Sequence, residues 1–423
     1  MAPRYAPSLR GRLPWLILIL ETIFISIFLF SISFEPAEAS KVYPETRLIG
    51  VKPFLTAFQD INVMIFLGFG FLLTFMRRFG FSGVGFNLLI AAFGIQWAII
   101  LDGVLFHFKE GSVTINMPSL LIGSMSTVPA LISAGALLGK VNPVQLIWVT
   151  LVEVTLFTVN RWIISDLFMI EKHASLMFVH IFGAYFGLAI AWFFYHPLLG
   201  KNTEKERSQP TSHLFSLLGS LFLWMFWPTF NSVLVPNASK RRNAVYNTYY
   251  ALAVSAVTAF SFSVCTNARG KLNMVHIRNA VLAGGVAVGF SAYFIYSAWI
   301  AMTIGFLAGM ISALGFTYIQ AYLNSAIQIH DTCGVHATFG LPGLLGGVAY
   351  VVLTSVDNWD NLTRLGYQAV IGISCILVTL IMSLVGGLLT GLFLTCKLWN
   401  APQHWKYFDD QAYWEFPHLA NKL

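Results

Sequence analysis

The sequence predicts an all-α polytopic membrane protein of about twelve transmembrane helices, and three observations carry that reading. Hydrophobic residues make up 57% of the 423 positions and charged residues only 10%, against about 25% charged in soluble domains. The apolar residues gather into runs that reach the roughly 20 positions needed to cross the hydrocarbon. Lys and Arg concentrate in alternate connecting loops, the pattern of a chain that weaves through a bilayer.

The runs fall near 14–34, 57–76, 84–106, 118–138, 143–164 and 174–195 in the first half, and near 213–235, 243–265, 273–291, 294–318, 331–355 and 367–396 in the second. The first follows Arg4, Arg10 and Arg12 and precedes "AEA" at 37–39, so it reads either as a retained helix or as a secretory signal. Its apolar stretch exceeds the usual signal length, which favours retention. An even number of spans then leaves both termini on one side. Arg77, Arg78, Lys140, Lys201, Lys205, Arg207, Arg269 and Lys271 lie in loops of that same side, so the positive-inside rule makes it cytoplasmic. Lys240, Arg241 and Arg242 dissent.

The net charge of +7 reads as topology and as attraction to an anionic inner leaflet, and points to no nucleic acid partner. Cys265, Cys333, Cys375 and Cys396 are scattered without a CxxC pair, which argues against a disulfide framework or a zinc site. No metal or cofactor is expected. The sequons "NAS" at Asn237 and "NLT" at Asn361 fall in outer loops as candidate glycosylation sites. The glycines of "GGVAVG", Gly284 to Gly289, lie inside a span, where small residues allow close helix approach. No nucleophile, base and orienting group occur together within the spans, so an enzyme is not expected. Glu21 and Glu153 read as buried, partnered acids.

Most of the ten histidines lie in loops, in the tail or near span ends. His180 and His336 do not. They open two similar phrases, "VHIFGAYFG" at 179–187 and "VHATFGLPG" at 335–343, one in each half of the chain, as an internal repeat with a midplane site would place them. A neutral imidazole offers one donor and one acceptor and relays protons near neutral pH. Two side by side would line a narrow polar thread for a small hydrogen-bonding molecule. The plainer reading is two unrelated histidines serving as packing glue between helices.

The stretches "FQDINVMIFLGFGFLLTFMRRFGFSGVGFN" (58–87), "GIQWAIILDG" (94–103), "HIFGAYFGL" (180–188), "LFLWMFWPTFNS" (221–232), "NAVLAGGVAVG" (279–289) and "DTCGVHATFGLPG" (331–343) follow in order along nearly the whole chain. On them the chain resembles the Rh family, a branch of the ammonium transporter superfamily. The resemblance implies an eleven-helix inverted repeat with one extra N-terminal helix, assembled as a trimer with a pore in each protomer, in the plasma membrane. It places His180 and His336 on the paired pore histidines, Asp331 on the acid of the same motif, and Phe230 and Met125 on the two gate positions, where Met125 stands in place of a phenylalanine. Ammonium would lose its proton near the outer vestibule, ammonia would pass the histidines, and a proton would be regained inside. Carbon dioxide is a further substrate the resemblance suggests.

Two positions depart from the pattern. Where the family carries acids in the vestibule this chain has Lys172, eight residues before His180, and Arg161, eleven before that. Two acids have become two bases, which lowers the local concentration of a cation. Asp166 and Glu171 are close in sequence but off the matching positions. These departures and the tail at 397–423 resemble the erythroid blood-group polypeptides of the family. The chain therefore divides into a transmembrane domain, 1–400, and a cytoplasmic tail, 401–423, and two functions compete. One is a channel for ammonia and ammonium. The other is a poorly conducting subunit of a homo- or heterotrimer with Rh relatives, tied through the tail to the ankyrin-linked membrane skeleton. The aromatic and acidic residues of the tail read alternatively as an ordinary solvated end.

Overall fold

The computed structural model describes residues 9–34, 54–107, 112–197, 199, 205–357 and 360–415. The part of the first outer loop at 35–53, the "AEA" at 37–39, the basic start of "KNTEKERSQP" and the last residues of the tail lie outside them.

Among the described residues eleven helices are long and apolar enough to cross a membrane: α1 (Leu9–Ser31), α2 (Phe54–Leu72), α3 (Gly80–His107), α4 (Met117–Leu137), α5 (Pro143–Leu167), α6 (Lys172–Phe193), α7 (Pro210–Ser232), α8 (Ala238–Cys265), α10 (Ala298–Ile327), α11 (His336–Asp357) and α12 (Leu362–Leu394). The ninth, α9 (Met274–Val288), is shorter and is interrupted by a turn of 3-10 helix at Ala280–Leu282. The twelve therefore match the sequence expectation, with the span expected at 273–291 replaced by a shorter, interrupted helix. Short strands β1 (Ile32–Phe34) and β2 (Val113–Ile115) pair in parallel at the ends of α1 and α4.

Helix starts follow local chemistry. Asn116 and Asn142 each accept the amide three residues on and complete a capping box, with Pro143 in the first turn of α5, so the first free amides are satisfied. Asn237, Asn273 and Asn361 cap α8, α9 and α12 by accepting amides two or three residues on, without the reciprocal side-chain bond. Both sequon asparagines are exposed and use the side-chain oxygen for the cap.

The centre is built on α4 and α6, buried along most of their length, with α12, α3 and α5 packed around them. Helices buried on every side read as apolar all round. α1 and α12 instead expose Leu18, Leu29, Phe30, Val370 and Leu389, as lipid-facing helices do. In the second half α8 and α10 are the most closely joined pair. The glycine cluster of α9 serves packing: a Cβ on Gly284 would sit 2.2 Å from the Ala251 carbonyl oxygen. Ser255 holds the same crossing, donating to the Ala280 carbonyl at 2.9 Å and accepting from the Gly284 amide at 3.0 Å.

The end of the chain docks on the face where α2, α4 and α12 finish. Asn142 donates to the carbonyls of Trp399 and Asn400 at 2.9 and 3.1 Å. The Phe408 amide donates to Gly139 and the Asp410 amide to Arg78. The Asp410 carboxylate accepts from the amides of Phe81 and Ser82 at 3.0 and 2.8 Å, and the Trp414 indole donates to Ser82 Oγ at 2.9 Å. Lys205 pairs with Asp409 at 3.0 Å. Residues 408–414 are thus no solvated end. Asp410 and Trp414 fill sites at the start of α3, and Phe408 packs on Gly139 in the turn before α5.

Candidate functional site

His180 lies in the third turn of α6 and is 1% exposed. Its ring is stacked near Trp227 at 5.6 Å and Phe339 at 6.0 Å, with Phe230 tilted against it at 5.9 Å. Both of its nitrogens are buried without a hydrogen-bond partner among the described residues. His336 starts α11, half-buried, with Tyr185 edge-on at 5.7 Å and its Nδ1 also unpartnered. No hydrogen bond joins the two imidazoles. Each instead faces a ring from the other's helix: Phe339, one turn after His336, lies against His180, and Tyr185, just over one turn after His180, lies against His336. The lack of a side chain at Gly343 keeps α11 close to α6, since a Cβ there would lie 2.9 Å from Ile181 Cγ1, beside His180.

Asp331 explains why α11 begins where it does. Its Oδ1 accepts from the amides of Gly334 and Val335 at 2.9 and 3.0 Å, and its Oδ2 from the amide of His336 at 2.9 Å. Gly334 sits at φ +78°, a conformation glycine adopts without strain. The span expected to begin at 331 therefore begins at His336, and residues 331–335 form a turn instead. That turn is tied to α4, with the Cys333 amide donating to Gly135 at 3.2 Å and Thr332 Oγ1 to Ala136 at 3.3 Å.

At the opposite ends of α3, α4 and α5 a basic cluster forms. Arg161, 2% exposed, donates from Nη1 to Asp102 Oδ1 at 3.1 Å and to Ser126 Oγ at 2.9 Å. Its guanidinium lies 5.2 Å from the Phe106 ring centre, and the exposed Lys172 ammonium lies 5.3 Å from the same ring. His107 Nε2 is 3.6 Å from the other oxygen of Asp102. Asp166 accepts from Ser165 and Glu171 pairs with His173 at 3.3 Å, so neither acid stands in for the acids this cluster lacks.

Twelve helices around one buried and one half-buried imidazole have counterparts among known proteins. The model of the Ammonium Transporter Family matches residues 17–413. The blood group Rh(CE) polypeptide of Homo sapiens is 42% identical over 422 residues, 99% of each chain. The chain belongs to the ammonium transporter family, in its Rh branch. The ammonium transporter Rh type C of Xenopus tropicalis is 43% identical over 382 residues, 85% of this chain and 81% of that one. Among solved structures, Nitrosomonas europaea Rh50, described with a mechanism of conduction by the Rhesus protein family of channels, superposes with a TM-score of 0.74 at 30% identity, over 89% of this chain and 96% of that one. The family is one of transporters and channels, not enzymes.

In this Rh-family chain the residues singled out in the sequence fall into two groups. His180, His336, Asp331 and Phe230 come together around α6, α7 and α11. Met125, 1% exposed, belongs to the same apolar cluster as Phe230, and Ser126 beside it ties its helix to Arg161. Glu153 is partnered by Ser133 at 2.6 Å and Glu21 by Gln96 at 3.4 Å. Sequence reasoning missed Asp102, although an acid inside a span is itself a signal of a partner. It missed Arg278 for the same reason. Trp227 and Phe339 carry no such signal, because an aromatic residue in a span is most often lipid-facing or core.

Proposed function

We propose that this Rh-family protein is a membrane channel that takes up ammonium and passes it as ammonia along a route lined by His180 and His336. One observation carries the reading: an imidazole with both nitrogens unpartnered, sealed among Trp227, Phe230 and Phe339. An unpaired buried polar group is costly, and it persists where a ligand uses it. Ammonia matches, since it both donates and accepts, as does neutral histidine. The cation does not, because stripping its water inside the protein costs far more than moving the neutral molecule. Phe230 and Met125 act as the gate on the side of Arg161. Carbon dioxide, small and uncharged, is a second substrate for the same route. The protein works as a trimer in the plasma membrane with both termini cytoplasmic.

The experiment is reconstitution in liposomes, with internal pH followed after an ammonium gradient is imposed. Native protein is expected to exceed empty liposomes, and His180→Ala with His336→Ala to lose the excess. Native flux no faster than empty liposomes would end the channel reading.

Lys172, exposed beside Phe106 where an acid was expected, favours a second reading, a poorly conducting subunit of an Rh complex joined to the ankyrin-linked skeleton through 401–423. Binding of full-length protein to ankyrin that is lost on deleting 401–423 supports it, and equal binding with and without the tail counts against it.

A further inference from the structure

We propose that Arg278 is a fixed cationic stopper at the tail-side end of the histidine route, turning back intact ammonium while ammonia passes. This rests on the channel reading above.

Arg278 sits in the first turns of α9, on the face where the tail docks. Its guanidinium lies 3.7 Å over the Phe75 ring, just past the end of α2, and the residue is 2% exposed. Ser220 fixes its backbone by donating to the Arg278 carbonyl at 2.5 Å. Nε and Nη1 are buried with no hydrogen-bond acceptor. The turn before α11 packs at the same end, since a Cβ on Gly135 would lie 3.0 Å from Val335, 3.3 Å from Cys333 and 3.5 Å from Leu73, two residues before Phe75, and the Arg278 guanidinium opposes the upward push of burial on the Cys333 thiol. Arg278, Phe75 and the Asp331–His336 turn therefore meet at one end of the route.

Several buried or half-buried basic groups flank the histidines, and their partners separate them. Arg161 is neutralised by Asp102. Lys140 donates to the His330 carbonyl at 2.5 Å, and burial lowers its pKa to about 7, so it sheds its charge readily. Arg278 forms no ion pair with a carboxylate among the described residues, and a guanidinium does not deprotonate in proteins. The Phe75 face offsets part of its desolvation. It remains a permanent charge in a low-dielectric setting, where a second cation is strongly repelled and a neutral molecule is not.

The test measures charge transfer by full-length protein in liposomes on a solid-supported membrane after an ammonium pulse. Native protein is expected to move no more charge than empty liposomes, and Arg278→Gln at least about tenfold more, the lower end of the range by which a fixed charge alters local ion concentration. Arg278→Met is the second variant, similar in length and without a polar group. It is expected to transfer charge like Arg278→Gln and to melt no lower than native, because an unpaired buried charge has gone. If neither neutral variant carries more charge than native, Arg278 is no stopper. The internal-pH assay reports separately on whether ammonia passes, so failure of the channel and failure of the stopper are distinguishable.

Discussion

Arg161 Nη1 donates to Asp102 Oδ1 at 3.1 Å, with both side chains almost wholly buried. The base that stands where relatives of the Rh type are expected to carry an acid has found an acid on α3. The exchange therefore adds less positive charge than the sequence suggests. Lys172, exposed and near the same Phe106 ring, remains the uncompensated part.

Asp102→Asn removes the counter-charge and leaves the Arg161 guanidinium buried. Breaking one side of a buried pair costs about 3–5 kcal/mol, so the variant is expected to melt well below native. Asp102→Leu combined with Arg161→Met removes both charges and is expected to recover most of the loss. Thermal melts of the three proteins in detergent decide it. A single variant that melts with the native protein would mean that the pair carries no stability.

Asp331→Ala removes the acceptor for three amides at the start of α11. Loss of a cap costs about 0.5–2 kcal/mol, and bonds to a charged acceptor stand at the upper end. Asp331→Asn keeps one carbonyl oxygen facing the Gly334 and Val335 amides and is expected to lose about half as much. Because the His336 amide is one of the three, Asp331→Ala is also expected to lower the ammonium-driven pH change in liposomes more than its stability loss accounts for. Equal flux in Asp331→Ala and native protein would restrict the residue to folding.

Most of the helices were legible because a membrane span leaves its mark in composition: twenty apolar residues have few other uses. The repeat was legible in ten residues around each histidine, since each histidine faces a ring from the other's helix, His180 that of Phe339 and His336 that of Tyr185. What escaped was set by three-dimensional partnership. Nothing along the chain says that Asp102 belongs to Arg161, fifty-nine positions away, or that Arg278 lies over Phe75. The break in α9 was hidden too, because its glycines and alanines are as apolar as a span and differ only in how closely they let Ala251 approach. The docked tail was invisible for the same reason, as the acceptor role of Asp410 depends on amides at Phe81 and Ser82.

Trp414 fills the space beside Gly85, where a Cβ would come within 2.5 Å of the indole, and its Nε1 is bonded to Ser82. Trp414→Ala removes both the packing and the bond, and Asp410→Ala removes the two amide contacts. Each is expected to free the tail, seen as faster cleavage after Lys397 or Lys406 by trypsin, with the melting temperature of the membrane core changed much less. Cleavage at the native rate in both variants would mean that the tail is held by other contacts.

Lys140 supplies the pH dependence. It is wholly buried, and burial brings its pKa down to about 7 from the usual 10.5 although Asp331 and Glu206 pull the other way. Between those values the unfolded chain keeps a proton that the folded protein has released. Stability therefore rises with pH across the window, by up to about 1.4 kcal/mol per pH unit, and below pH 7 the cost of the buried charge is fully present. Lys140→Met lacks this dependence, so native protein is expected to gain on the variant steadily from pH 7 to 10. Tyr407 and Cys333, whose buried acids are pushed up to about 12 and 11, contribute the opposite trend at the alkaline end, but both are present in the two proteins and cancel in the difference. Denaturation of the pair at pH 6.5, 8 and 9.5 makes the comparison, and a stability gap that does not change with pH would rule out Lys140 as the titrating group.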